Sequence, residues 1–76
     1  MNVLIKIHYI YNTIDCLQKG EFRVNYRDYK KDPDKTVAER AAKWIKEIMM
    51  NFPEMKVTKV LYNEDIQITE EVKALL

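Results

Sequence analysis

Residues 36–52 read TVAERAAKWIKEIMMNF, and the spacing of their apolar side chains predicts a long amphipathic helix. The opposite face is charged, and Lys43 stands four residues from both Glu39 and Glu47, a spacing that favours ion pairs along a helix. The apolar residues recur at steps of three and four and so form one stripe; they are Ala38, Ala41, Ala42, Ile45, Ile48, Met49 and Phe52. We therefore expect this helix to pack on one face of a sheet.

The helix has two possible starting points and one clear end. Thr36–Glu39 has the form of a capping box, in which the hydroxyl and the carboxylate each accept from a free backbone N–H. Asp32 followed by Pro33 is the competing start, with aspartate as the N-cap and proline in the first helical position. The helix should end at Asn51, because Pro53 follows closely and the residue before a proline disfavours helical backbone.

Two strands are predicted before the helix. Residues 3–11 alternate with apolar side chains on both faces, which is typical of a central strand. Residues 12–20 are interpreted as a long hairpin connection, with Gly20 supplying a positive φ before the next strand. Residues 21–29 alternate again, and residues 30–35 form a charged linker. The second strand should turn three side chains to the core, namely Phe22, Val24 and Tyr26.

Shorter elements are predicted after the helix. Residues 55–62 form a third strand in which the apolar parity changes, so we expect a bulge near Lys59. Residues 66–68 are either a short fourth strand or an extended arm, and the pattern leaves both open. Thr69 is expected to cap a short final helix.

Together these elements predict one α+β domain spanning residues 1–76, in the order β-β-α-β-(β)-α. The sheet has three or four mainly antiparallel strands, and the long helix packs on one face. The first strand is the most apolar, so we place it in the middle, antiparallel to both neighbours. The core must come from hydrophobic burial alone, because the lone Cys16 cannot form an intrachain disulfide.

The chain is poor in residues that build chemical sites. It has one glycine, one histidine and one cysteine, so no glycine-rich phosphate loop is possible. His8 and Cys16 offer no pairing that would support nucleophilic catalysis, and they are too few for a zinc site. We therefore predict no catalytic residues, no metal site and no cofactor, and expect that the protein is not an enzyme.

No feature of the sequence directs the chain to a membrane or out of the cell. Residues 1–11 lack the basic start and small-residue cleavage site of an export signal. No stretch approaches the roughly 18–20 apolar residues of a membrane span. We expect a soluble, cytoplasmic protein with a free thiol.

A basic stretch makes nucleic-acid binding the second functional hypothesis. The expected solvent face of the second strand, with the linker after it, combines cationic and aromatic side chains, as single-strand binders do. The candidate residues are Arg23, Arg27, Tyr29, Lys30 and Lys31. Acidic residues interrupt the run, and the whole chain carries a net charge of only +1, so binding should be weak.

Protein–protein contact is the first hypothesis. The chain is rich in residue types that interfaces favour, with five tyrosines, four methionines and one tryptophan. Trp44 lies at the flank of the helix stripe, where it either widens the core face or meets a partner; Met50 falls among charged positions. With Tyr62 they form the candidate interface. We predict a binding or regulatory module whose partner is another protein or a second copy, with a small enzyme as the third hypothesis.

Overall fold

The first two strands form a long hairpin in the computed structural model, which covers residues 1–76. β1 (Asn2–Tyr11) and β2 (Ile14–Arg23) pair antiparallel along their full length. Between them, Asn12 and Thr13 have φ values of 51° and 63°, the left-handed backbone that a two-residue type I′ hairpin turn requires. The predicted long connection over residues 12–20 is therefore wrong, because most of it belongs to β2.

Apolar and polar residues alternate only weakly in the sequence of β2, because β2 is an edge strand and its front face is only partly buried. Gly20 lies inside this strand opposite Ile5 and has no positive φ, so its expected turn role is also wrong. Its missing side chain makes room for aromatic rings instead. A Cβ atom there would lie 2.6 Å from Cε2 of Phe22 and 3.3 Å from Cη2 of Trp44.

The predicted strand over residues 21–29 ends early, at Arg23, and a short helix follows, α1 (Tyr26–Lys31). Asn25 caps this helix, since its Oδ1 accepts a hydrogen bond from the backbone N–H of Asp28 at 3.1 Å. Alternating polar and apolar residues therefore did not indicate a strand here, because a side-chain cap stabilises the helical turn.

The long helix, α2 (Pro33–Asn51), follows α1 directly. Asp32 is its N-cap, with Oδ1 accepting from the N–H of Lys35 at 3.2 Å, and Pro33 occupies the first turn. Of the two predicted starts, the structure thus has Asp32–Pro33. The predicted end at Asn51 is confirmed.

After α2 the chain returns to the sheet as β3 (Lys56–Tyr62) and β4 (Ile66–Gln67), and ends in α3 (Thr69–Lys73). The strand order is β2-β1-β3-β4, and every neighbouring pair is antiparallel. This confirms the α+β class and the central position of β1, and it makes residues 66–67 a fourth strand.

Two local features join β3 to its neighbours. The predicted bulge is present, because His8 pairs with Lys59 while Tyr9 pairs with Val57, which leaves Thr58 as the extra residue. Thr69 does not cap α3 as expected. Its hydroxyl is buried and accepts a hydrogen bond from the N–H of Val60 at 3.0 Å, so it stabilises β3 instead.

The core lies between the helices and one face of the sheet, called here the front face. The buried front-face side chains of β1 meet the stripe of α2, whose Ile45 is fully buried; those of β1 are Val3, Ile5, Ile7 and Tyr9. The opposite face, the open face, has the exposed residues Leu4 and Leu17. None of the helices is long and apolar enough to cross a membrane.

Candidate functional site

The outer edge of β2 has no pairing strand, since β2 is the first strand in the sheet order. Its exposure alternates along the strand. The even-numbered side chains from Cys16 to Phe22 lie on the front face and are partly buried, whereas the odd-numbered ones lie on the open face and are exposed; the exposed ones are Asp15, Leu17, Lys19, Glu21 and Arg23.

The backbone of β2 has a defined polarity at this edge. Just beyond the strand, the N–H of Val24 donates to the carbonyl of Met1 at 2.8 Å, and the ammonium of Met1 donates back to the carbonyl of Val24 at 3.1 Å. Even-numbered residues of β2 therefore turn their N–H and C=O groups to β1. The odd-numbered residues Asp15, Leu17 and Lys19 turn theirs outward, where they are free to pair.

On the open face, apolar and basic side chains of neighbouring strands lie directly opposite each other and form rows across the sheet. One row places Lys19 directly opposite Lys6, and the next places Leu17 opposite His8, which in turn lies opposite Lys59. Like charges that face each other across two strands are unfavourable. The Lys6–Lys19 pair is therefore a local destabilisation at the centre of this face.

A groove of about 620 Å³ lies where the end of β2 meets α1 and α2. Its walls are almost entirely polar, and Val24 is the one apolar residue. Five lining residues are basic, namely Arg23, Lys31, Lys35, Arg40 and Lys43. Three are acidic, namely Asp28, Asp32 and Glu39.

Arg40 packs its side chain against the aromatic ring of Phe22. Its guanidinium carbon lies 4.3 Å from the centre of the Phe22 ring, a cation–π arrangement, and that ring in turn lies 4.6 Å from the ring of Trp44. Nη1 of Arg40 is buried and has no hydrogen-bond partner. A buried guanidinium nitrogen without a partner is unfavourable, so this group is held by stacking alone.

The structure separates the residues of the predicted nucleic-acid surface. Arg23 and Lys31 line the groove, whereas Arg27 and Lys30 are exposed on α1 and do not line it. Tyr29 is partly buried against the core, with its ring 6.5 Å from the ring of Tyr62. The five residues therefore do not form one strand face, because most of them belong to a helix.

The three residues of the predicted protein interface also lie apart. Met50 is 84% exposed, Trp44 is partly buried beside Phe22, and Tyr62 is only 2% exposed. The hydroxyl of Tyr62 donates to Oδ1 of Asp34 at 2.7 Å. Tyr62 is thus a core residue, and only Met50 and part of Trp44 face outward.

Sequence reasoning missed the edge residues Asp15, Leu17 and Lys19, because it assigned them to a loop. It also missed Arg40, which is one of the charged residues of the predicted helix. The charges at positions 15 and 19 could have indicated the edge once these residues were assigned to a strand. The burial of Arg40 had no signal in the sequence, since it depends on the position of Phe22.

Residues with metal-binding or nucleophilic chemistry are scattered. No three His, Cys, Asp or Glu side chains lie close enough together to hold a metal ion. Cys16 is a free thiol on the front face, and its Sγ donates to the carbonyl of Ile14 at 3.6 Å. His8 lies on the open face of the central strand, opposite Leu17.

Comparison of the chain with protein-family models, curated proteins and solved structures finds no significant match.

Proposed function

We propose that the protein is a binding module that acts through protein contacts, and that its first partner is a second copy of itself. Two copies pair through β2 in antiparallel orientation, so that two four-stranded sheets join into one. The observation that carries this proposal is the free edge of β2, whose outward backbone groups and side-chain charges are self-complementary.

Charge selects the register of this pairing. With the twofold axis at Leu17, Asp15 of one copy lies opposite Lys19 of the other, which is favourable. With the axis at Gln18, Asp15 would face Glu21. With the axis at Lys19, Asp15 would face Arg23, but two lysines would face each other, so only the axis at Leu17 avoids a pair of like charges. In all three registers the outward backbone groups of odd-numbered residues can pair, so the side-chain charges decide in favour of Leu17.

The same register offsets two unfavourable features of the isolated chain. It places the carboxylate of Asp15 beside Lys19 on the side away from Lys6, which offsets the repulsion within the Lys6–Lys19 pair. On the front face, it sets Ile14, which is 63% exposed, opposite Gly20 of the other copy. An exposed apolar side chain thereby meets the one position of β2 that has no side chain.

Analytical ultracentrifugation across a range of concentrations tests the proposal. The wild-type chain should show a monomer–dimer equilibrium, and Lys19→Asp should weaken it at least tenfold, because two carboxylates would then face each other across the interface. Asp15→Lys should weaken it similarly. The double variant with both changes restores the opposite charges in reversed order and should recover dimerisation. Lys59→Asp makes the same charge change on β3 and serves as the matched control.

Amide hydrogen exchange provides the second measurement. The outward N–H groups of Asp15, Leu17 and Lys19 should become more protected as the protein concentration rises, whereas inward N–H groups of β2 should not change. A chain that remains monomeric up to about 1 mM, a dissociation constant equivalent to about −4 kcal/mol, would refute self-association. So would a double charge reversal that fails to restore it.

The joined sheet would offer a continuous open face to a further protein. Each copy presents exposed Leu4 and Leu17 among lysines of three strands, and this combination suits an acidic segment with apolar side chains. The lysines are Lys6, Lys19, Lys56 and Lys59. Because the register does not bring two Cys16 thiols opposite each other, the dimer needs no disulfide and suits a reducing compartment such as the cytoplasm.

Nucleic-acid binding is the competing proposal, and the composition of the open face favours a protein partner over nucleic acid. The rows of this face contain lysines but no tryptophan, tyrosine or phenylalanine, so base stacking has no platform there. An acidic glutamate peptide and a single-stranded oligonucleotide of equal charge can be compared by chemical-shift perturbation. Binding of the peptide at Lys59 and Leu17 supports the protein partner. Tighter, salt-sensitive binding of the oligonucleotide that Arg23→Ala weakens would favour nucleic acid.

A further inference from the structure

We propose that the groove between the end of β2, α1 and α2 binds a phosphoryl group, with Arg40 as the residue that recognises it. This site is separate from the dimer edge. The proposed pairing involves residues 13–21, whereas the groove begins at Arg23 and continues along both helices. Phosphoryl binding in the groove is therefore independent of self-association.

The state of Arg40 is the first argument. Its guanidinium is stacked on Phe22, and its Nη1 is buried without a hydrogen-bond partner. The residue also lines the groove, so a ligand bound there lies beside its side chain. An anion bound there would give the guanidinium a charged acceptor, and an arginine fork binds tetrahedral oxyanions with two parallel hydrogen bonds.

The charges around Arg40 are the second argument. Basic residues approach the groove from three elements, with Arg23 on β2, Lys31 on α1, and Lys35 and Lys43 on α2. Together with Arg40, they outnumber the acidic lining residues by five to three. One of the acidic groups is already engaged, because Oδ1 of Asp32 caps α2.

The shape and polarity of the groove define the class of ligand. Its volume of about 620 Å³ exceeds what one phosphate ion fills, so a small molecule that carries the phosphoryl group can enter. Only one apolar residue lines it, so an apolar ligand would gain little burial. The ligand is therefore a phosphorylated small molecule, bound through its phosphoryl oxygens.

NMR titration with inorganic phosphate, inorganic triphosphate and a nucleoside triphosphate tests the site. Each ligand should shift the amide signals of residues 23–43 and the Nε–H signal of Arg40, with triphosphates binding more tightly than phosphate. If the nucleoside triphosphate binds more tightly than inorganic triphosphate, the groove also recognises a nucleoside. If the two affinities are equal, the groove recognises the phosphoryl groups alone. Both results support the site. The free nucleoside should cause no shift.

Variants locate the binding at Arg40. Arg40→Lys keeps the charge but loses the fork, and it should weaken triphosphate binding about tenfold, as the loss of about 1.4 kcal/mol implies. Arg27→Gln removes an exposed charge from α1 outside the groove and should change binding by less than about twofold, a typical surface effect. Lys43→Gln, at an exposed position, provides a second test if Arg40 variants unfold.

Three results would overturn the proposal. The first is the absence of shifts in the groove at about 20 mM phosphate and low salt, where electrostatic contacts are strongest. The second is equal weakening by Arg27→Gln and Arg40→Lys, which would indicate a diffuse charge effect. The third is an unchanged affinity in both Arg40→Lys and Lys43→Gln.

Discussion

The hydroxyl of Tyr62, at the end of β3, donates a 2.7 Å hydrogen bond to the carboxylate of Asp34 in the first turn of α2. Tyr62 is almost fully buried, and its ring also lies edge-on to that of Tyr29 in α1. One side chain thus joins the sheet to both helices that line the groove. Asp34 also lies near the positive end of the α2 dipole, where an acidic side chain stabilises a helix.

Tyr62→Phe should lower the free energy of unfolding by about 1.5 kcal/mol, the value typical of a hydrogen bond to a charged group. Asp34 is exposed and can return to water, so no buried charge is left behind. Urea denaturation measures the change. Tyr26→Phe, at a position that is 60% exposed, is the matched control and should have little effect; equal losses in the two variants would contradict this role.

The same bond predicts a pH dependence. Burial, together with the hydrogen bond to Asp34 and its charge, raises the pKa of Tyr62 well above its ordinary value. The folded state therefore favours the protonated phenol. This contribution to stability is complete below about pH 10, the ordinary tyrosine pKa, and decreases as the pH rises above it. Urea denaturation at a series of alkaline pH values measures this effect. The free energy of unfolding should decrease more steeply with pH for the wild type than for Tyr62→Phe.

The sequence predicted those elements whose patterns depend on burial. The stripe of α2 predicted a helix packed on the sheet, and the two-faced apolar pattern of β1 predicted its central position, because both elements contribute buried side chains to the core. Asn51 was correctly identified as the last residue of α2 from a local steric rule about the proline that follows. These features need no knowledge of distant parts of the chain.

The errors fall where distant contacts decide the structure. β2 is an edge strand, so half of its side chains are polar and residues 14–20 resemble a loop. Gly20 resembles a turn residue but is small because the ring of Phe22 occupies the space beside it. Neither the open edge nor the burial of Arg40 can be inferred without the assembled sheet, and both candidate sites depend on them.

Thr13 is a position at which glycine should stabilise the protein. Its φ of 63° is a strained conformation for a β-branched residue, whereas glycine adopts it freely. Thr13→Gly should raise the free energy of unfolding by about 1 kcal/mol. Asn12→Gly is the control, since asparagine tolerates the left-handed region and should gain less. Urea midpoints compare the two; a loss of stability in Thr13→Gly would show that the turn is not type I′.

Gly20→Ala should destabilise the chain by about 1–3 kcal/mol, because the added methyl group would overlap the Phe22 ring. That ring cannot move freely, since Arg40 and Trp44 stack against it. The emission of Trp44 should shift as the rings separate. Combining Gly20→Ala with Phe22→Leu should recover part of the loss, and additive losses in that double-mutant cycle would contradict the proposed contact.

Helix capping distinguishes the two starts that the sequence left open. Asp32→Ala should lower the free energy of unfolding by about 1 kcal/mol, because it removes the acceptor for the N–H of Lys35 and a negative charge near the helix dipole. Thr36→Ala should change it by less than about 0.5 kcal/mol, because Thr36 lies inside α2 and alanine is the better helix former. If Thr36→Ala were the more damaging change, the helix would begin at Thr36 in solution, and Lys35 would no longer belong to the helical wall of the groove.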